Sequence, residues 1–302
     1  MCVRIALLCG RQPFLLPQLA AWFRVWLVLC CVPGTAVVCR ADLPQNDSER
    51  GPAWQRHTVD GSSRGADGVR LADINGDGQP DIVTGWEEGG QIRLAIHPGI
   101  GKVRQLWPSV TIGRVKSPED AVFFDADRDG RLDVVSSCEG GTRSLFVHWS
   151  PEDSRQLLNA EAWTTARVPA SHGRQRWMYA VPVELDGKPG QELVAAGKGE
   201  NAEIGWWQLP EKSREVADWK WHPIDTVGWV MSIKPLDVDN DGDTDLLVTD
   251  RKGPQRGLWW FENPGAAADN QTAITFRWTR RLIGGREREV MFLTVADLDG
   301  DG

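Results

Sequence analysis

Residues 237–245 read Asp237-Val238-Asp239-Asn240-Asp241-Gly242-Asp243-Thr244-Asp245, and Leu246-Leu247-Val248 follows. Carboxylates stand at positions 1, 3, 5 and 9 of this stretch, with a glycine at position 6. A turn that bends sharply at a glycine lets alternate side chains converge. The apolar run behind it has the composition of a buried strand. The pattern returns at Asp73-Ile74-Asn75-Gly76-Asp77-Gly78-Gln79-Pro80-Asp81, and at Asp125-Ala126-Asp127-Arg128-Asp129-Gly130-Arg131-Leu132-Asp133. A degenerate copy runs from Glu184 to Glu192, with Lys188 at position 5. A last copy opens with Asp297, Asp299 and Asp301.

First positions at 73, 125, 184, 237 and 297 give spacings of 52, 59, 53 and 60 residues, a mean of 56. A fixed period of that size marks an array of supersecondary units. Each unit repeats further landmarks. An alternating apolar run precedes the acidic loop, as in Val69-Arg70-Leu71-Ala72 and Val290-Met291-Phe292-Leu293. A second strand-like run and a Gly-rich turn follow. A third run ends near Trp or His, as in Leu145-Phe146-Val147-His148-Trp149. A fourth opens with Trp107, Trp163, Trp219 or Trp278. The expectation is an all-β chain, a β-propeller of four-stranded blades. Four blades and the start of a fifth are visible. The run Trp54–Val59 reads as an extra fourth-type strand that would complete a last blade.

The loops resemble the FG-GAP/VCBS repeat, the calcium-binding blade of propellers similar to the N-terminal region of integrin α-chains. The resemblance covers Trp54 to Gly302. It implies seven blades, or about 390 residues at this period, against 261 after residue 41. The chain is therefore read as part of a longer protein, with C-terminal blades missing.

Calcium takes six to eight oxygen ligands at about 2.3–2.6 Å, from carboxylates, carbonyls and water. The expected ligands are Asp73, Asn75, Asp77 and Asp81 in the first loop. In the second they are Asp125, Asp127, Asp129 and Asp133, and in the third Asp237, Asp239, Asp241 and Asp245. The carbonyl at position 7 completes each set. Asp297, Asp299 and Asp301 begin a further set. No calcium is expected in the fourth loop, where the Lys188 ammonium takes the ion's place. The EF-hand alternative needs Glu at position 12 and flanking helices. Position 12 is Thr84, Ser136 or Val248, and the flanks are strand-like.

The chain's 34 Lys+Arg and 42 Asp+Glu give a charge of −8. Nucleic acid usually leaves a basic footprint on its partner, so it is not expected. Residues 1–41 hold Arg4, Arg11, Arg24 and Arg40, no acid, and an uncharged run from Val25 to Val38. They read as a signal peptide cleaved near Ala41, with an uncleaved anchor as the alternative. Residues 42–53 are read as a linker. Cleavage leaves 30 basic against 42 acidic residues, a charge of −12, and Cys138 alone of six cysteines. Three Ca²⁺ would halve that charge. An exported domain without disulfides needs another source of rigidity, and calcium supplies one.

His97 and His148 recur at equivalent strand ends, as do His57 and His222 after Trp54 and Trp219, which favours packing over catalysis. Most tryptophans recur at unit positions and read as core. Trp86, Trp177 and Trp229 lie beside loops, where sugar stacking is the other use. The loops opposite the acidic ones carry Asp67, Glu87, Glu119, Asp120, Glu139, Lys198, Asp250, Arg251 and Lys252, among others. They are read as a charged rim, with polar-ligand binding or acid–base work as the alternative. The expected function is an exported calcium-binding propeller that acts as a binding or adhesion module for a protein or glycan, and not as an enzyme. The alternative is the propeller part of a sugar-acting lyase similar to aldos-2-ulose dehydratase/isomerase.

Overall fold

The computed structural model describes residues 53–185, 190–210, 214–265 and 278–298. The signal-peptide reading, all but the last residue of the linker, Lys188, Asp299 and Asp301 lie outside the described residues. The described residues are all-β, with three antiparallel sheets. The first holds β1 (Ala66–Ala72), β2 (Asp81–Trp86), β3 (Gln91–Ala95) and β4 (Ser109–Arg114) in sequence order. The second holds β5 (Pro118–Phe124), β6 (Asp133–Cys138), β7 (Ser144–Trp149) and β8 (Thr164–Arg167). The third, six-stranded sheet runs from β9 (Arg176–Val183) through β10 (Glu192–Gln208), β11 (Lys220–Leu236), β12 (Asp245–Asp250) and β13 (Gly257–Glu262) to β14 (Thr279–Gly284).

Two long strands explain the six. The first half of β10 pairs with β9 and its second half with β11. The second half of β11 in turn pairs with β12. Units three and four of the sequence thus share one continuous sheet.

One hairpin register recurs in all four units. Leu71 faces Ile82, Phe123 faces Val134, Pro182 faces Leu193 and Pro235 faces Leu246. In each case the residue two before the loop's first position pairs with the one nine after it. A one-residue slip would turn every buried side chain outward, so burial pins this register. Each hairpin also skips one residue on its first strand: Gly68, Glu119, Met178 and Met231. Such bulges re-aim a side chain.

Buried residues form a core between successive units. Val83, Leu94 and Ile112 of the first sheet pack with Phe123 and Val134 of the second. Phe124, Val135 and Val147 pack with Trp177, Leu193 and Trp207. Val194 and Ile204 pack with Ile233, Leu246 and Phe261. Arg70 ties three first-type strands together. It donates to Asp120 Oδ2 at 2.7 Å and to Tyr179 Oη at 2.6 Å. The buried Asp120 also accepts from the Ala180 N–H. Through Oδ2, Asp120 thus joins β5 to β1 and β9.

Two expected strands do not form. Trp54–Val59 is irregular and Trp54 is 97% exposed. Residues 290–293 are irregular as well, although Leu293 packs on Leu247 and Leu258. A strand exists through its ladder, and no neighbouring strand among the described residues pairs with either segment. The core reading of the tryptophans holds for Trp177, Trp207 and Trp219. Trp86 and Trp177 are buried, at 8% and 0% exposure, which removes both as sugar-stacking platforms.

Candidate functional site

The acidic loops fold alike because their carboxylates cap their own backbone. At position 1, Asp73 accepts from the N–H of Gly76, Asp77 and Gly78. Asp125 accepts from Asp129 and Gly130, and Asp237 from Gly242. At position 5, Asp77, Asp129 and Asp241 each accept from the N–H two residues on. The position-6 glycines have φ of 79°, 86° and 97°, a region that costs other residues energy. Position 4 is also left-handed, at Gly76, Arg128 and Asn240.

Position 9 has a role that the sequence did not announce. Asp81, Asp133 and Asp245 are buried to within 1%. Each staples its loop to the sheet through two backbone N–H groups. One comes from position 2 (Ile74, Ala126, Val238) and one from just beyond the third strand (His97, Ser150, Asn263). Only the recurrence of an acid at position 9 hinted at this. Burial pushes the Asp133 carboxyl up to about 7 against these hydrogen bonds.

The loops differ in how tightly they gather. Carboxylate oxygens of Asp125, Asp127 and Asp129 lie within 4.8 Å of one another, as do those of Asp237, Asp239 and Asp245. Asp133 and Asp241 stand outside these groups, and Asp73, Asp77 and Asp81 do not form one. In the first loop the Asn75 amide instead donates to Asp77 Oδ2 at 3.1 Å. Arg214 and Arg131 pair with the second loop's Asp127 and Asp129. Asp127 Oδ1 and Asp237 Oδ1 are buried without any hydrogen-bond partner. A buried carboxylate oxygen without a partner is costly, and a hard cation satisfies such an atom. All-oxygen sets of this kind fit Ca²⁺. Asp297 and Leu298 are described, but the rest of that loop is not.

On the hairpin turns away from these loops a second cluster forms. Oxygens of Glu87, Glu119 and Glu139 lie within 4.8 Å of one another. The bulge in β5 delivers Glu119 to this group. Lys198 Nζ is 3.4 Å from Glu119 Oε1 and also pairs with Glu139. Burial raises Glu119 to about 7, opposed by Lys198 and reinforced by Glu139 and Glu87. The folded chain therefore keeps a proton that an ordinary glutamate, near 4.5, gives up. The stability tied to that proton is full below about 4.5 and is lost as pH rises to about 7. Glu119→Gln cannot ionise. Its melting temperature, relative to the parent, is expected to rise between about pH 5 and about pH 8. Paired thermal melts check this, and a pH-independent difference would refute the assignment.

Burial holds two further groups in their neutral forms. Burial takes His148 down to about 3, where the neutral ring exchanges hydrogen bonds with Ser136 and Thr165. Burial takes the Cys138 thiol up to about 12.

Repeated antiparallel hairpins closed by self-capping Asp-rich loops define a class: an all-β repeat protein with oxygen-lined turns. Residues 73–136 and 237–302 match the FG-GAP-like repeat, which is consistent with an FG-GAP repeat protein. No curated protein matches it. Among the described residues no helix is long and apolar enough to cross a membrane.

Proposed function

We propose that the chain is an exported, calcium-stabilised propeller module that binds a protein or glycan partner. Its sheets are successive blades, with units three and four joined where β11 passes from one blade to the next. FG-GAP repeats, which suggest a propeller-like interaction module, support this. The observation that carries the calcium reading is the pair of buried, unpartnered oxygens, Asp127 Oδ1 and Asp237 Oδ1, inside two of the three acidic loops. The ligands are Asp73, Asn75, Asp77 and Asp81; Asp125, Asp127, Asp129 and Asp133; and Asp237, Asp239, Asp241 and Asp245. Asp297, Asp299 and Asp301 begin another set.

Calcium stoichiometry tests the assignment. The parent chain should bind at least three Ca²⁺. Asp129→Ala and Asp241→Ala should each remove one equivalent, because each loop draws its ligands from its own nine residues. An unchanged stoichiometry in both variants would refute the ligand sets.

A further inference from the structure

A cleft of about 900 Å³ opens on the hairpin-turn side, between the turns of β10, β11 and β12–β13. Its lining includes Arg176, Lys198, Glu200, Asn201, Trp229 and Lys252. The Trp229 indole gathers three cations around one ring. Lys198 Nζ lies 4.5 Å from the ring centroid, Arg251 Cζ 4.7 Å and Lys252 Nζ 4.9 Å. The ring quadrupole attracts each of them and offsets their mutual repulsion. The cations lie against the indole, so Trp229 is no open platform for a sugar ring.

The site is built rather than accidental. The buried Asp250 accepts from the N–H groups of Gly228 and Trp229, both at 2.7 Å. A side chain at Gly228 would meet the Lys252 carbonyl oxygen at 1.8 Å, so only glycine lets the two turns meet. Turn and indole are thereby fixed before any ligand arrives.

The cations around the cleft are not equally held. Glu119 and Glu139 hold Lys198. Glu289 holds Arg251 at 2.8 Å and reaches Lys252 at only 3.7 Å. Among the described residues Arg176 has no ion pair, and the Asn201 and Gln255 amides have no hydrogen bond. The unpaired Arg176 guanidinium and the spare amides, with no free aromatic face beside them, match carboxylate groups rather than a neutral sugar.

We infer that this cleft binds an acidic segment of a protein partner, with Arg176 and Lys252 taking its carboxylates. This rests on the interaction-module reading above and names the partner's chemistry. The test titrates the full chain, calcium-loaded and at low ionic strength, with a short peptide of alternating glycine and aspartate. Its asparagine counterpart and glucuronate are the comparison probes. The aspartate peptide should bind and the other two should bind much more weakly. Arg176→Gln and Lys252→Gln should each weaken binding about two- to fivefold, and Glu200→Gln should strengthen it. Arg104→Gln, at an exposed turn elsewhere, should change nothing. All these side chains are exposed, so the variants should fold. No aspartate-peptide binding, equal binding of the asparagine peptide, tighter glucuronate binding, or affinities unmoved by the Arg176 and Lys252 changes would each overturn the inference. The calcium response of the melt, taken on the same samples, judges the module reading separately. A retained response without peptide binding overturns the cleft alone.

Discussion

Chelating calcium is expected to lower the melting temperature by about 10 °C or more. An ion that binds the folded loops and not the unfolded chain stabilises the fold by about 2.7 kcal/mol per site at about 100 times its dissociation constant. For a domain of this size, about 1 kcal/mol moves the transition by about 2–4 °C. One saturated site is thus worth about 5–10 °C, and three such loops are present. The molecular reason lies in the first and fifth carboxylates of each loop. Each already caps the backbone of its turn, so an ion that balances their charge also secures the turn. Loops two and three hold buried oxygens without partners, and their carboxylates should repel most once the ion is gone. Loop one, where the Asn75 amide meets Asp77, should suffer least. Differential scanning calorimetry with and without chelator measures the shift, and restored calcium should reverse it. Coincident melts would eliminate calcium as the stabilising ion.

The hairpins were legible in the sequence because their signal is periodic. An acid at position 9 followed by a run such as Ile82-Val83-Thr84 or Leu246-Leu247-Val248 recurs at blade-like spacing, and the register from two before to nine after holds in all four units. The fourth-strand tryptophans were legible for the same reason. What failed was any reading that needed a neighbour. Trp54–Val59 has strand composition, yet pairing and not composition makes a strand. Trp177 lies beside a loop in sequence and beneath Trp207 and Trp221 in space. The loop face was foreseen as a charged rim. Its meeting of Glu87, Glu119 and Glu139, drawn from two hairpin turns and a bulge, depends on how the sheets stack. The three cations on Trp229 likewise come from two different turns, and no local pattern marks them.

The stacking of sheets two and three is most exposed to change at Trp207. Its side chain is fully buried. Its ring centroid lies 5.9 Å from that of Trp177, 6.4 Å from Trp219 and 5.1 Å from Trp221. Four indoles thus fill one space between β7–β8 and β9–β11. Trp207→Ala is expected to cost about 3–5 kcal/mol, the upper range for a core aromatic. That is a large share of a typical domain's stability of about 5–15 kcal/mol. Trp207→Phe should cost much less than the alanine change. It keeps most of the apolar volume, and it removes an indole N–H that is buried without a partner, which offsets part of the loss. Trp54→Ala, at a fully exposed indole, should stay within about 0.5 kcal/mol. Urea unfolding of the three variants gives the order directly. If Trp207→Ala and Trp54→Ala matched, the four-indole cluster would not be what holds these sheets together.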